Sequence, residues 1–461
     1  GSNPCLTASS ALVALCMTRV GQKRRRSDLS LMSWRRTREN RVIELSETLS
    51  KGAGVSERRR FLKILGSAMG LSSVMAPVWR KDPTKLIPEL LAAQDAPYAI
   101  EGKEGLTILN DRPINAETPL AFLDDEITSN AHHFIRNNGL VPERARNQDA
   151  NGWSLTVDGE VERPLELTLD QLKSRYPNRR EALVLECGGN GRAGFYPPAS
   201  GNQWTLGAVG CALYTGVRLT DVLEDAGLKS TAVYLAYYGE DMHLSGDSDT
   251  AVISRGVPIA KALDDHTLLA WAMNDEPLPA QHGFPLRLVA PGFPASVSGK
   301  WLRRLWVRDR VHDGPKMTGY SYRIPKYPVS PGTEVLEADM VIIEAMPVKS
   351  VITHPITGIS HTVKTPLSLR GHAWCGDGPV EAMHLSVDFG ATWVPALLAE
   401  PRNPFAWQRW EASVSFPTPG HYEVWARATD HQFRMQPMIA PGWNPRGYLN
   451  NAMHRIAVSV T

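Results

Sequence analysis

Cysteine is scarce in this chain, which has only five in 461 residues: Cys5, Cys16, Cys187, Cys211 and Cys375. No two of them form a CxxC pair, and this excludes zinc ribbons and c-type haem attachment. They also outline no disulfide framework, although an exported compartment would permit a single bridge. What remains is the isolated cysteine, which either packs as a small apolar residue or acts as a single thiolate.

An excess of charge of one sign is also missing. Lys and Arg number 50 against 48 Asp and Glu, so the net charge is +2 and gives no indication of nucleic-acid binding. Any anion site must therefore come from a local cluster of arginines. The apolar content of 43% and the charged content of 21% are typical of a globular protein, and the length predicts two or three domains.

The apolar run from Ile64 to Ala76 is too short to span a bilayer comfortably, but it has the length of a signal-peptide core. It follows Arg58-Arg59-Arg60-Phe61-Leu62-Lys63, which looks like a twin-arginine export signal. We therefore expect a flexible N-terminal extension over 1–57, the export signal and linker over 58–90, a periplasmic protein, and no stable membrane span. A basic amphipathic surface helix is the alternative.

The next region, 95–330, mixes helix and strand patterns. Trp153 to Val157 alternates apolar and polar residues, which predicts a strand. Thr168-Leu-Asp-Gln171 is a capping box that predicts a short helix, whereas Leu268 to Met273 reads as a buried strand. The alternation of strands and helices is too irregular for a doubly wound sheet, so we predict an α+β domain.

A Pro-rich passage from Pro325 to Pro331 predicts a linker. Beyond it, over 335–461, the apolar period is almost purely two. Short strands are predicted at segments such as Met383–Val387 and Tyr422–Ala426, separated by turn signals such as Asp388-Phe-Gly390. This spacing predicts an immunoglobulin-like β-sandwich.

Cys187 is the most informative single residue. It follows a short apolar run and precedes Gly188-Gly-Asn-Gly-Arg192, so the thiol lies at the end of a predicted strand in a turn that permits close approach of a ligand. Thiolate is a soft metal ligand of the kind that suits molybdenum. Buried free cysteines are common, however, and usually inert.

Other segments carry polar residues that strands and a core do not require. Donors suited to phosphate are His282, Arg287, Ser298 and Lys300. Arg136 lies in a glycine-bounded loop, Arg192 follows Cys187, and Arg446 precedes the last strand of the predicted sandwich. Taken singly, each arginine is more simply explained as a surface or salt-bridge residue.

Together these segments resemble the sulfite oxidase family of molybdopterin enzymes, from roughly Thr118 to the C terminus, and most of all its exported bacterial sulfite dehydrogenases. The matching motifs are Glu186-Cys-Gly-Gly-Asn190, His282-Gly-Phe-Pro-Leu-Arg287, Ser298-Gly-Lys-Trp301 and Trp443-Asn-Pro-Arg-Gly-Tyr-Leu-Asn-Asn451. The resemblance implies the sulfite oxidase fold, with a mixed α/β molybdopterin-binding domain over 95–330 and an immunoglobulin-like dimerisation domain over 335–461.

The resemblance also implies the molybdenum cofactor, with Cys187 as the protein's ligand to the metal. The remaining cofactor-binding residues that it implies are Arg136, Asn138, Asp247, His282, Arg287, Ser298 and Lys300. Many relatives have histidine where this chain has Asn138. Asparagine keeps hydrogen-bonding capacity toward the pterin but carries no positive charge.

By the same resemblance, sulfite is oxidised to sulfate by oxygen-atom transfer. The residues expected around the sulfite anion are Arg136, Arg192, Arg446, Trp204 and Tyr322, with Tyr320 as the alternative tyrosine. Because the sequence contains no recognisable haem or flavin domain, we expect an external c-type cytochrome as electron acceptor, and we expect a homodimer.

Two alternatives remain open at this point. One is sulfane, sulfoxide or nitrate chemistry on the same scaffold, although an uncharged sulfoxide has little use for three converging arginines. The other is a non-catalytic exported binding or assembly protein, which would contain no molybdenum.

Overall fold

The computed structural model describes residues 99–247 and 249–461. The predicted N-terminal extension and the export signal at 58–90 lie outside these ranges. Within them, no helix is both long enough and apolar enough to cross a lipid bilayer.

The region that precedes the Pro-rich passage is an α+β domain, as predicted. Its strands are β1 (Thr107–Asp111), β2 (Ile114–Glu117), β3 (Ile135–Arg136), β4 (Ser154–Gly159), β5 (Leu165–Thr168), β6 (Asn178–Glu186), β7 (Val209–Arg218), β8 (Tyr234–Gly239), β9 (Gly256–Pro258), β10 (Leu268–Met273), β11 (Glu276–Pro277), β12 (Arg287–Val289), β13 (Leu302–Arg308) and β14 (Arg323–Pro325). Its α-helices are α1 (Glu143–Arg146), α2 (Leu169–Arg175), α3 (Leu219–Ala226) and α4 (Ile259–Ala262). Short 3₁₀ helices cover Leu120–Leu123, Arg192–Gly194, Ala280–His282 and Ala295–Val297.

Two five-stranded sheets build this domain. One has the order β5-β4-β13-β8-β9, with β13 parallel to β4, and the other has the order β11-β10-β7-β6 with β12 added beside β10. Leu155 and Leu305 of the first sheet meet Val217 and Leu269 of the second in one buried cluster. Apolar side chains from both sheets therefore share one core.

Local sequence signals are well reproduced here. The backbone N–H of Gln171 donates to Thr168 Oγ1 at 3.2 Å, and the Gln171 side chain accepts from the Thr168 N–H at 2.8 Å. This reciprocal pair confirms the predicted capping box at the start of α2. Strand β12 begins only at Arg287, after Pro285, which has no N–H to give to a ladder.

The last region is a two-sheet sandwich, as predicted. Before it, β15 (Met340–Ile342) pairs with β14 in a separate two-stranded sheet. The strands of the sandwich are β16 (Lys349–His354), β17 (Ile359–His361), β18 (Leu367–Trp374), β19 (Val380–Ser386), β20 (Val394–Pro395), β21 (Leu397–Leu398), β22 (Gln408–Val414), β23 (Gly420–Asp430) and β24 (His454–Val460). A four-stranded sheet, β16-β18-β22-β21, faces a five-stranded sheet, β17-β24-β23-β19-β20. Leu369 and Trp410 from the first sheet pack with Val424 and Ile456 from the second.

The two domains share an apolar interface. Val184 and Val209, from the β6–β7 pair of the first domain, cluster with Val351, Trp374 and Trp407 of the sandwich. Strand β6 therefore contacts the sandwich with its last residues, directly before Cys187. The interface between the two domains therefore lies beside the candidate site.

Candidate cofactor and substrate site

Cys187 directly follows β6 and is 4% exposed. Its backbone N–H donates to the carbonyl oxygen of Ala208 at 2.9 Å, and its side chain packs with Phe134 and Trp204. The turn that follows requires Gly191 in the left-handed region, at φ +89°. Two cavities meet at this cysteine, because it lines both of them.

The first cavity, which we call the groove, is open to solvent and contains about 680 Å³ of space that no protein atom fills. It brings together seven of the residues predicted for the cofactor: Arg136, Asn138, Cys187, His282, Arg287, Ser298 and Lys300. These residues come from five separate chain segments. The fold therefore places side chains side by side that the sequence only suggested as a group.

Arg287 and Lys300 are cations in the groove without anionic partners. Within the described ranges, neither forms an ion pair with a carboxylate. Arg287 donates to the carbonyl oxygens of His282 and Ser298 at 3.0 and 3.2 Å, and Lys300 donates to Asn137 Oδ1 and to the carbonyl oxygen of Gln281 at 2.5 and 2.7 Å. Burial, with the charge of Arg287 next in importance, holds the pKa of Lys300 well below its ordinary value.

His282 adds a further donor and contacts a lysine that the sequence analysis did not select. Lys103 Nζ lies 2.6 Å from His282 Nε2, and it also donates to the carbonyl oxygens of Asn130 and His133 at 2.5 and 2.7 Å. Burial lowers the pKa of Lys103 to about 7. Burial and the neighbouring Lys103 charge lower the pKa of His282 well below its usual range. An anion in the groove would relieve this crowding of cations.

These observations test whether the groove suits an anionic, phosphate-bearing pterin. Three cations and two histidines surround it, and His133 Nε2 is buried without a hydrogen-bond partner. Buried polar groups without partners are costly, so a ligand with phosphate oxygens for the cations and ring N–H groups for such a nitrogen would satisfy them. At the end of the groove Cys187 offers a single thiolate. The donor set fits a molybdenum–pterin cofactor.

The second cavity is also open to solvent and contains about 650 Å³ of space that no protein atom fills. It shares Arg136, Asn138, Cys187 and Tyr322 with the groove. The predicted substrate residues Arg136, Arg192, Arg446, Trp204 and Tyr322 all line it. Arg446 comes from the sandwich and the others come from the first domain or the segment that follows it. This cavity therefore forms at the domain boundary.

Neighbouring groups hold these arginines in place. Arg192 is 6% exposed and donates to the carbonyl oxygens of Arg446 and Asn202 at 2.6 and 2.7 Å. Arg446 Nη1 donates to Ser200 Oγ at 2.9 Å, and Arg136 Nη2 donates to Asn138 Oδ1 at 2.9 Å. None of these three guanidiniums is paired with a carboxylate in the described part of the chain. They remain available to an anion.

Two tyrosines were candidates for the substrate site. Tyr322 is 5% exposed, lines both cavities, and stacks on Tyr448 with ring centroids 5.5 Å apart. The guanidinium of Arg255 covers its ring at 4.4 Å, and its φ of +52° is unusual for a residue with a side chain. Tyr320 lines neither cavity, and its hydroxyl donates to the carbonyl oxygen of Val335 at 2.6 Å. The geometry favours Tyr322.

Asp247 is the one predicted cofactor residue that the structure does not bring to the groove. It is exposed, it lines neither cavity, and it accepts hydrogen bonds from Thr250 Oγ1 and from the Asp249 backbone within its own loop. Short polar side chains commonly satisfy their own turn in this way. The structure brings Asp241 to the groove instead, where burial raises the pKa of its carboxyl to about 6.

Sequence reasoning also missed Lys316, which lines the second cavity. It lies in an irregular segment after Gly314-Pro315, at φ +71°. No spacing or motif in the sequence marks this residue. Its contribution depends on the path of the backbone between β13 and β14.

Comparison with known proteins agrees with the geometry. A family model described as an oxidoreductase molybdopterin binding domain matches residues 139–316, and another described as a Mo-co oxidoreductase dimerisation domain matches residues 340–461. The groove on this fold thus defines a molybdopterin oxidoreductase with a dimerisation domain. Each matched range lies inside one of the two domains predicted from the sequence.

Similarity to individual proteins identifies the family to which the chain belongs. The chain is 34% identical over 376 residues to the mitochondrial sulfite oxidase of Rattus norvegicus, with 77% of this chain and 66% of that protein covered. It is 33% identical over 383 residues to the sulfite oxidase of Gallus gallus, with 80% and 82% covered. The chain belongs to the sulfite oxidase family, and its cofactor is the molybdenum cofactor. It spans 66% of the length of the rat relative.

A solved structure is also similar. The sulfane dehydrogenase SoxCD from Paracoccus pantotrophus superimposes with a TM-score of 0.60 at 25% sequence identity. The match covers 82% of this chain and 99% of the SoxCD chain. The described domains therefore share the fold of that sulfane dehydrogenase over nearly the whole of its chain.

Proposed function

We propose that this protein is a sulfite dehydrogenase, which oxidises sulfite to sulfate and passes the electrons to an external c-type cytochrome. The observation that carries this proposal is the convergence of Arg136, Arg192 and Arg446 on one cavity beside Cys187. Sulfite is a small oxyanion, and guanidiniums replace its hydration with directed, charge-assisted hydrogen bonds. The similarity to two sulfite oxidases supports the same substrate.

The residues divide the work as follows. The three arginines bind the sulfite oxygens and turn the sulfur toward Cys187. Tyr322 contacts both cavities and orients the anion at their junction, while the fully buried Trp204 closes the wall and excludes water. When bound, the molybdenum cofactor supplies the oxygen-atom transfer and the two-electron redox change. Overall, sulfite and water give sulfate, two protons and two electrons.

Two molecules of a one-electron acceptor must take these electrons. The described residues contain no CxxC pair for haem attachment, which favours an acceptor on another protein. A soluble c-type cytochrome that docks weakly and transiently near the second cavity meets this need. Export to the periplasm by the twin-arginine route, proposed from Arg58 to Lys63, would place the protein beside such cytochromes.

Sulfane oxidation is the second candidate function. The superposition on SoxCD supports it, because the match covers 99% of that chain. A sulfane group on a carrier protein is bulkier than sulfite and needs an open approach to Cys187. The three arginines favour sulfite instead, because each guanidinium needs a substrate oxygen atom to bind.

A homodimer is proposed through the sandwich. Apolar side chains are exposed there, among them Leu397 at 76%, Phe433 at 76% and Ile439 at 76%. The family model for this region is a dimerisation domain, and exposed apolar side chains of this kind are available to such an interface. Light scattering on the purified protein tests this state: a monomer at micromolar concentration would contradict it.

Elemental analysis combined with substrate assays tests the function. The purified protein should contain about one molybdenum per chain, and sulfite should reduce added cytochrome c. Nitrate with a reduced dye, and thiosulfate with cytochrome c, are the comparison assays. Molybdenum without sulfite-dependent reduction would move the assignment to another reaction of the family, and thiosulfate-dependent reduction would favour sulfane chemistry. Absence of molybdenum from protein made in a cofactor-producing host would contradict both the sulfite and the sulfane proposals.

A further inference from the structure

A buried ion pair joins the two domains directly behind Cys187. Lys349 Nζ, in β16 of the sandwich, lies 2.5 Å from Glu186 Oε1, at the last residue of β6. The two side chains are only 1% and 2% exposed. Trp374 Nε1, also from the sandwich, donates to the other carboxylate oxygen of Glu186 at 2.8 Å. Both of these contacts of Glu186 cross the domain interface.

A chain of hydrogen bonds continues from this pair to the cysteine. Glu186 Oε1 also accepts from Asn190 Nδ2 at 3.0 Å, and Lys349 Nζ donates to the Asn190 carbonyl oxygen at 3.3 Å. Asn190 Oδ1 accepts from the Ala208 N–H at 3.1 Å, and the Ala208 carbonyl accepts from the Cys187 N–H at 2.9 Å. Both ends of the turn that carries the thiol are therefore tied to Lys349.

Energetics argue that stability alone does not explain the pair. Removing two charges from water costs free energy that their attraction repays only when the geometry is good, and apolar residues of equal volume often serve stability as well. A buried, fully bonded charge pair does restrict the geometry of the groups around it. Here that restriction falls on the residue before Cys187 and on the residue three after it.

We propose that Lys349 is a positioning residue: through Glu186 and Asn190, the sandwich domain fixes the turn that presents the Cys187 thiolate to the metal. The inference rests on the proposed role of Cys187 as metal ligand. Groups behind a metal ligand commonly set its orientation, and their loss costs about 10- to 100-fold in metal affinity or activity. The sandwich would thus contribute to the metal site as well as to dimerisation.

The test uses the double variant Glu186→Gln/Lys349→Met, which removes both charges at similar volume and leaves no buried charge unpaired. The first readout is made on cofactor-free protein. Iodoacetamide labelling of Cys187 is followed by peptide mass spectrometry, with the buried Cys211 as an internal reference for global unfolding. The second readout is molybdenum content and the thiolate-to-metal absorption of the loaded protein.

The matched control is Arg370→Met. It removes another ion pair between the domains, Asp124–Arg370 at 2.7 Å, which does not touch the Cys187 turn. The milder variant Trp374→Phe keeps both charges and deletes only the indole donor, so it serves if the double variant does not fold.

We expect the Cys187 to Cys211 labelling ratio to rise about tenfold or more in the double variant, within the range usual for groups that support a ligand. It should rise less in Trp374→Phe and stay unchanged in Arg370→Met. Molybdenum content should fall in the same order, with a shifted absorption band. A lowered melting temperature with an unchanged labelling ratio in both variants would show that the pair is merely structural. If the unaltered protein takes up no molybdenum, the proposed function fails, whereas the labelling ratio still decides whether Lys349 positions the turn.

Discussion

The Nε of Arg192 donates a 2.6 Å hydrogen bond to the main-chain carbonyl oxygen of Arg446. An arginine of the first domain thereby holds the backbone of an arginine from the sandwich, and both guanidiniums reach the second cavity. Gly447 makes this approach possible, since a Cβ at that position would lie 2.8 Å from Arg192 Cγ. The proposed anion site thus lies at the domain boundary.

Arg446→Met should raise the KM for sulfite steeply while the protein stays folded. A hydrogen bond to a charged group contributes about 1.5–3 kcal/mol, so an increase of about 10- to 100-fold is expected. The measurement is steady-state cytochrome c reduction. Arg455→Met is the control, because this exposed arginine of the same domain pairs with Glu423, at 3.3 Å, and lines neither cavity. An unchanged KM for Arg446→Met would mean that the sandwich contributes structure but no substrate contact.

Cys187→Ser should abolish turnover, because oxygen is a poor replacement for thiolate at a soft metal site. The melting temperature should change by less than about 4 °C, the shift that about 1 kcal/mol produces in a domain of this size. Molybdenum analysis and calorimetry measure the two effects. Cys211→Ala is the matched control, since Cys211 is equally buried in β7 but lines neither cavity. Full activity of Cys187→Ser would remove the ligand assignment.

Tyr322→Phe and Tyr320→Phe form a pair that separates two neighbouring hydroxyls. The Tyr322 hydroxyl belongs to the residue that lines both cavities, so its loss should lower kcat/KM by about 10-fold or more, as for a hydrogen bond to a charged group. The Tyr320 hydroxyl bonds the Val335 carbonyl, and its loss should affect thermal stability more than turnover. The opposite pattern of rate constants would reverse the assignment.

His372 should make the protein sensitive to acid. Burial lowers its pKa to about 4, so the folded protein keeps the ring neutral while the unfolded chain binds a proton below pH 6.5. Unfolding free energy therefore falls as the pH drops from 6.5 to 4, by about 3 kcal/mol from this group. His372→Phe keeps the stacking on Trp407, at 4.2 Å, and removes the titration.

The measurement for His372→Phe is the melting temperature at pH 7 and at pH 4.5. The difference between these two temperatures should be smaller in the variant than in the unaltered protein. The same substitution at His421, which is exposed, should leave the difference as it is. An equal acid sensitivity with and without His372 would contradict the prediction.

Much of the fold could be predicted because its signals are local. The capping box at Thr168 forms from residues three apart, and the strand predicted at Leu268–Met273 has the observed bounds. The β-sandwich followed from a period of two, since alternate side chains of a strand face one core. The small β1–β3 sheet and the early strand β16 carried no pattern that the sequence analysis used.

The site was predictable only in its parts. Motifs pointed to Cys187, His282 and Arg446, which line the cavities, and also to Asp247, which lines neither. In a sequence, a polar loop looks the same whether its carboxylate faces a ligand or its own backbone. The sequence analysis missed Asp241 and Lys316, although each of them lines a cavity. Neither belongs to a motif, and each reaches a cavity only through the course of the surrounding backbone.

The secondary-structure elements, the family motifs and the position of the lone thiol could be read from the sequence, because each depends on residues near one another in the chain. Only the tertiary structure shows which side chains from distant parts of the chain contact one another. Lys349 reaches Glu186 across 163 positions, and Arg192 reaches Arg446 across 254. These contacts depend on how the two sheets of the first domain pack against the sandwich. Burial of apolar surface between the domains drives this packing, and the polar side chains at the interface are brought together as a result.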